Sequence, residues 1–161
     1  MSRERKVEVI QKKKTGDTPI DKTYRYLYRV KSVDDMIDEK QKQLDYWRSR
    51  ACGTGLRTDS ERVQTSGSKD ELGECCAKIV DLCAEINQDI DSLVDLKANV
   101  MHTIDLLEDL EERRVLYCRY LRYMEYFKIS QEMHVSDKTV FRIHKGAIRH
   151  LAEILYPESE S

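Results

Sequence analysis

Turn-forming residues are scarce in this chain. Two prolines and six glycines among 161 residues leave few places for tight turns, and no strand pattern of any length appears. Nowhere does the chain approach the ~20 apolar residues that a membrane span needs. No apolar leader follows the initiating methionine, so a soluble, cytoplasmic protein is expected. Five cysteines (Cys52, Cys75, Cys76, Cys83 and Cys118) form an odd set without a CxxC pair. That spacing excludes a disulfide framework or a zinc site, and they read as small buried hydrophobes in a reducing compartment. The histidines, His102, His134, His144 and His150, stand at no spacing from Cys, Ser or carboxylate that would build a nucleophile or a metal site. No enzyme, cofactor or metal is therefore expected.

Charge is plentiful and uneven. The net charge is only −2, yet residues 70–112 hold thirteen acids against two lysines. Residues 113–150 hold nine Lys/Arg against three acids, a balance of +6. A local excess of this kind is the electrostatic footprint that phosphate binding requires. The acidic run Asp105, Glu108, Asp109, Glu111 and Glu112 could suggest a metal site, but spread around a helix end it reads as a solvated cap.

Residues 1–19 carry Arg3, Arg5, Lys6 and Lys12–Lys14 with little apolar material, a disordered basic arm. A first helix is expected from Asp21 to Arg50, with Val30, Val33, Ile37, Leu44 and Trp47 inward and Lys40 interrupting the stripe. A Gly/Ser/Thr-rich loop over 53–68 follows. Ser68, with Glu71 three residues on, completes a capping box for a second helix. Leu72, Cys76, Ile79, Cys83, Ile86, Ile90, Leu93, Lys97, Val100, Ile104 and Leu107 then alternate by fours and threes, which is a coiled-coil seam. Over 20–108 the two helices fold back as an antiparallel hairpin about 45 and 60 Å long. The longer one leaves seam (Leu93, Lys97, Val100, Ile104, Leu107) for another partner, so a homo-oligomer is expected.

Asp109, with Glu112, can cap a fresh helix carrying Leu116, Tyr120 and Leu121 inward. Within 109–156 the stretch YFKISQEMHVSDKTVFRI pairs two short helical patterns. Ile129 and Met133 sit four apart, Val135 plugs the corner, and Val140 and Ile143 sit three apart. Ser136 stands as N-cap of a helix running from Asp137 to about Leu155, ahead of a tail over 157–161. This is the layout of a helix-turn-helix whose second helix enters a DNA major groove; a plain helical corner inside a bundle is the bland alternative. Asp137, Lys138, Thr139 and Arg142 are the expected base contacts. Lys128, Ser136, His144, Lys145 and Arg149 are the expected phosphate contacts. His134 occupies a turn position that glycine fits at least cost, and a left-handed backbone is expected there. The ladder Tyr117, Tyr120, Tyr123, Tyr126 would stack on single-stranded bases only if exposed; Tyr120 and one or two neighbours read better as core.

The segment RRVLYCRYLRYMEYFKISQEMHVSDKTVFRIHKGAIRHL resembles region 4 of bacterial sigma factors. It is closer still to small phage regulators of the RinA/ArpU type. The pair Arg119–Tyr120, the Ile129/Met133/Val135/Val140/Ile143 framework and the closing Ala147–Leu151 all fall at that spacing. The upstream run SERVQTSGSKDELGECCAKIVDLCAEINQDID also resembles such proteins, so the likeness covers about residues 30–155. It departs at His134, where glycine is usual, and at Asp137, often basic in sigma factors. The resemblance implies a sequence-specific regulator of phage or prophage transcription that reads double-stranded DNA inside a bacterial host; the fold expected is all-α, and bacterial RNA polymerase is a further candidate partner. A phage packaging recognition subunit of the small-terminase kind and a coiled-coil adaptor for RNA polymerase remain alternatives.

Overall fold

A computed structural model describes residues 18–55 and 68–157, and all regular structure among them is helical. Residues 1–17 of the arm expected over 1–19, residues 56–67 of the loop expected over 53–68 and the tail beyond Pro157 lie outside the described residues, as does the side chain of Ser68, whereas 53–55 belong to a helix. The helices are α1 (Pro19–Gly55), α2 (Ser68–Ile104), α3 (Leu110–Leu116), a π-helical turn (Tyr117–Leu121), α4 (Tyr126–Met133) and α5 (Asp137–Leu155).

α1 begins two residues ahead of the expected Asp21. The Thr18 hydroxyl accepts from the Asp21 N–H at 3.1 Å and donates to its carboxylate at 2.6 Å. Pro19 takes the first helical position, where a missing N–H costs nothing. α1 also runs past Arg50 to Gly55, so α1 and α2 are each 37 residues, about 55 Å long. The expected difference in length is therefore absent.

The chain forms two compact units, one of residues 29–103 and the other of residues 18–28 with 104–157. In the first, four ion pairs fix the direction of the helices: Asp34 with Lys97, Lys40 with Glu85 and with Asp89, and Arg50 with Glu71. As the α1 number rises the α2 number falls, so α1 and α2 run antiparallel. Val30, Ile37 and Leu44 repeat every seven residues on α1, and Ile86, Leu93 and Val100 do so on α2; all six are buried. Lys40, which breaks the apolar stripe, is held at its ammonium by Asp89 at 2.7 Å and Glu85 at 3.0 Å.

The seam departs from expectation in detail. Cys75 is buried and Cys76 exposed; Leu72 and Ile90 are exposed as well. Cys52 also lies at the surface, so the cysteines are not uniformly core residues. Leu93, Val100, Ile104 and Leu107, expected to await a second subunit, are buried within the single chain, and Lys97 bridges Asp34 at 3.8 Å. That seam is not open to a partner.

In the second unit Val115, Cys118, Ile129, Val140 and Ile143 form one apolar cluster, with Met133 and Val135 packed on it. The expected corner framework is thus the core. His134 has φ 56° and ψ 39°, a left-handed residue closing α4, with Val135 N donating to Ser130 O at 3.0 Å. Removing the Cβ relieves strain there, whereas a β-branched side chain adds to it. His134→Gly is expected to keep or raise stability by up to about 1 kcal/mol, and His134→Val to lower it; melting curves of the two variants check the order.

Candidate nucleic-acid interface

Helix α5 carries the candidate surface. Its Ser136 N-cap accepts from the Thr139 N–H at 3.1 Å, as the sequence suggests. Val140, Ile143, His144, Ala147, Ile148, Leu151 and Ala152 bury one side of the helix. Lys138, Phe141, Arg142, Lys145 and Arg149 are exposed and, at 3.6 residues per turn, share an arc of about 100°. The arc presents four cations with one aromatic ring at its edge.

The expected contact residues divide accordingly. Lys138 and Arg142 lie on the open arc. Asp137 is exposed, but its carboxylate accepts from the Ser130 hydroxyl of α4 and so locks the corner. Thr139 is half-buried and shares its hydroxyl with that of Ser136 at 2.9 Å. Among the expected phosphate contacts, Lys128, Lys145 and Arg149 are exposed, and the Ser136 hydroxyl serves as the cap.

His144 is a correction. It is only 3% exposed, and Tyr120 and Tyr126 take its two ring nitrogens at 3.0 and 3.3 Å. A neutral imidazole has one donor and one acceptor, so one tyrosine donates and the other accepts. Burial, aided by the Arg119 guanidinium, pulls the His144 pKa down to about 4. An uncharged, enclosed ring does not reach phosphate. Tyr24 of α1 also lies beside it at 6.0 Å between ring centroids, and Tyr28 meets Tyr120 edge-on at 5.2 Å. The tyrosine ladder is therefore core at Tyr120 and half-buried at Tyr117, Tyr123 and Tyr126, not an open stacking platform.

Phe141 is a residue that sequence reasoning missed. It is 55% exposed and its ring is held edge-on by Tyr126 at 5.9 Å, with Tyr126 in turn edge-on to His144. Its place one turn after the cap and beside Arg142 was a usable signal.

A groove beside the arc is lined by Asp109, Glu111 and Glu112 of the α3 start and by Arg142, Lys145, Arg149 and His150 of α5. Asp109 caps α3, accepting from the N–H of Glu111 at 2.7 Å and of Glu112 at 3.3 Å. Glu112 is buried and takes His150 at 2.9 Å, which raises the pKa of that histidine. Gly146 admits this approach, since a Cβ there would lie 3.1 Å from a Glu112 carboxylate oxygen. Among the described residues no cluster of three metal-ligating side chains occurs, and no helix is long and apolar enough to cross a membrane.

Comparison with known proteins gives one match. The family model described as "Protein of unknown function (DUF1492)" matches residues 56–152, which is more than half of the chain and takes in α2 through most of α5. No curated protein and no solved structure matches the chain.

The His144 environment sets a pH dependence. Its folded pKa of about 4 lies below the unfolded value of 6.5, so the unfolded chain binds the extra proton first as pH falls. The stability at stake is fully present above about pH 6.5 and is lost progressively toward pH 4, of order 2–3 kcal/mol. His144→Gln, which keeps a donor and an acceptor but does not titrate, is expected to flatten the fall in melting temperature over that range. Parallel profiles for the two proteins would contradict the assignment.

Proposed function

The chain belongs to the DUF1492 family, and we propose that this member is a sequence-specific double-stranded DNA-binding protein that reads the major groove with the first half of α5. The observation that carries the reading is the open cationic arc Lys138, Arg142, Lys145 and Arg149, set on a helix whose entry is fixed by the left-handed His134 and the Ser136 cap. A structural corner inside a bundle has no need of four aligned cations. The +6 balance over 113–150 supports the same reading. Arg142 and Lys138 supply hydrogen-bond donors to base edges, while Phe141 at the edge of the arc offers an apolar surface to thymine methyl groups. Lys128, Lys145 and Arg149 face phosphates. The resemblance to phage regulators with a sigma region 4-like reader makes transcription regulation in a phage or prophage the biological role proposed.

Arg142→Ala is expected to relax base preference, with about 1–3 kcal/mol of discrimination lost at the contacted position. Lys145→Ala and Arg149→Ala are expected to weaken binding to specific and random duplexes alike and to lower the salt slope by about one each. Equal losses for Arg142→Ala on both duplexes would remove the base-reading role. Sequencing of DNA fragments that co-purify with the protein separates the biological readings. A promoter-like site fits a regulator, a packaging start fits a packaging subunit, and nothing above background fits a protein adaptor.

A further inference from the structure

The helix α2 carries more apolar surface than its hairpin uses. Beside the buried seam of Ile86, Leu93 and Val100 runs a second stripe, and it is open. Val80 and Val94 are 67% and 60% exposed, and Leu72, Ile90 and Met101 are 40%, 39% and 45% exposed. These positions recur at three- and four-residue steps through Cys76, Cys83, Asn87 and Ala98. At 3.6 residues per turn the two stripes occupy adjacent arcs, together about 200° wide. One neighbouring helix covers only part of such an arc; helices of this kind belong to bundles of three or more.

The order of residues along the stripe says what covers it. Val80 and Val94 stand seven residues either side of Asn87, and Cys76 and Ala98 stand eleven. Cys83 with Ile90, and Leu72 with Met101, are equidistant from it to within one residue. A stripe symmetric about its middle is complementary to itself turned end for end. Asn87, its one polar side chain between the two valines, falls at the centre, where two amides can satisfy each other.

We propose that two copies of the chain pair through this face of α2, antiparallel about Asn87, to form a four-helix bundle of two hairpins. Charge favours that direction. The antiparallel pairing sets Asp91 level with Cys83 of the second copy and Asp95 level with Ile79, while Glu85 and Asp89, which it sets level, lie on the α1 side of the helix and hold Lys40 of their own chain. A parallel pairing would set each acid beside its own copy on two already acidic helices. The stripe belongs to the 29–103 unit and the α5 arc to the other, so the pairing holds or fails independently of the DNA reading.

The full chain is the material for the test. Sedimentation across a micromolar concentration series is expected to give a dimer, and Val80→Lys or Val94→Glu alone to halve the mass. Both positions are exposed in the single chain, so helix content by circular dichroism should stay at the wild-type level in each variant. In the double variant V80K/V94E, the introduced lysine of one copy meets the introduced glutamate of the other at both ends, and the dimer is expected to return. A monomeric wild-type protein overturns the proposal. So does a dimer indifferent to Val94→Glu, which would place the contact elsewhere. Single variants that dissociate without rescue in the double overturn the antiparallel register.

Discussion

A neutral, buried imidazole is the constraint on which the helix-turn-helix unit depends. The His144 ring meets Tyr120 from the π-helical turn, Tyr126 from α4 and Tyr24 from α1. Four segments thus converge on one polar group in an apolar interior. Such a group is tolerated only when each nitrogen has a partner, and the penalty for leaving one unpaired is about 1–3 kcal/mol. The tyrosines therefore have little freedom in where they stand. Cys118 and Tyr120 are the buried residues of the π-helical turn. Arg119, between them, donates to Met124 O at 3.0 Å and lies 4.9 Å over the Tyr126 ring. With α4 and α5 so held, the outer arc of α5 presents its side chains from a rigid backbone.

What the sequence made legible was what local chemistry dictates. The span of α5, its Ser136 cap, the left-handed residue at His134 and the Ile129–Ile143 framework all follow from spacing and from the backbone preferences of single residues. The start of α1 falls two residues ahead of expectation because 1–19 is assigned whole to the basic arm, whereas Thr18 before it and Asp21 after it make Pro19 a first-turn proline. His144 was misplaced for a different reason. Nothing in its immediate neighbours tells a surface histidine from a buried one; the tyrosines that enclose it are 18, 24 and 120 positions away in the sequence. Gly146 was silent for the same reason, since its partner Glu112 comes from another helix.

The hairpin teaches a related lesson about periodicity. A repeat of fours and threes marks an apolar stripe on α2, but does not say how wide the apolar arc is or which edge of it the partner helix takes. Cys75, not Cys76, belongs to the buried edge, and Leu72 and Ile90 fall on the open one. Reading the repeat as a single seam merged two neighbouring surfaces. The pairs Asp34–Lys97 and Lys40–Asp89 separate them, since they fix the rotation of α2 against α1 at the rim of the seam. Excess surface therefore lies in the width of the helix and not in its length.

Charge sign marks where the cationic arc of α5 stops. The cations of α5 run from Lys138 to Arg149, but from Arg142 onward they border a groove whose other wall is Asp109, Glu111 and Glu112. Those acids are required where they stand: Asp109 holds the first N–H groups of α3, and Glu111 lies in its first turn, where a negative charge meets the positive end of the helix. A phosphate brought to that side would face carboxylates within the Debye length of about 8 Å at physiological salt, so repulsion there is not screened away. Lys138 and Phe141 do not line that groove. The residues that start α3 thereby close the groove side of α5 to a polyanion, and on the proposed reading Lys145 and Arg149 meet phosphates from the open side of the arc.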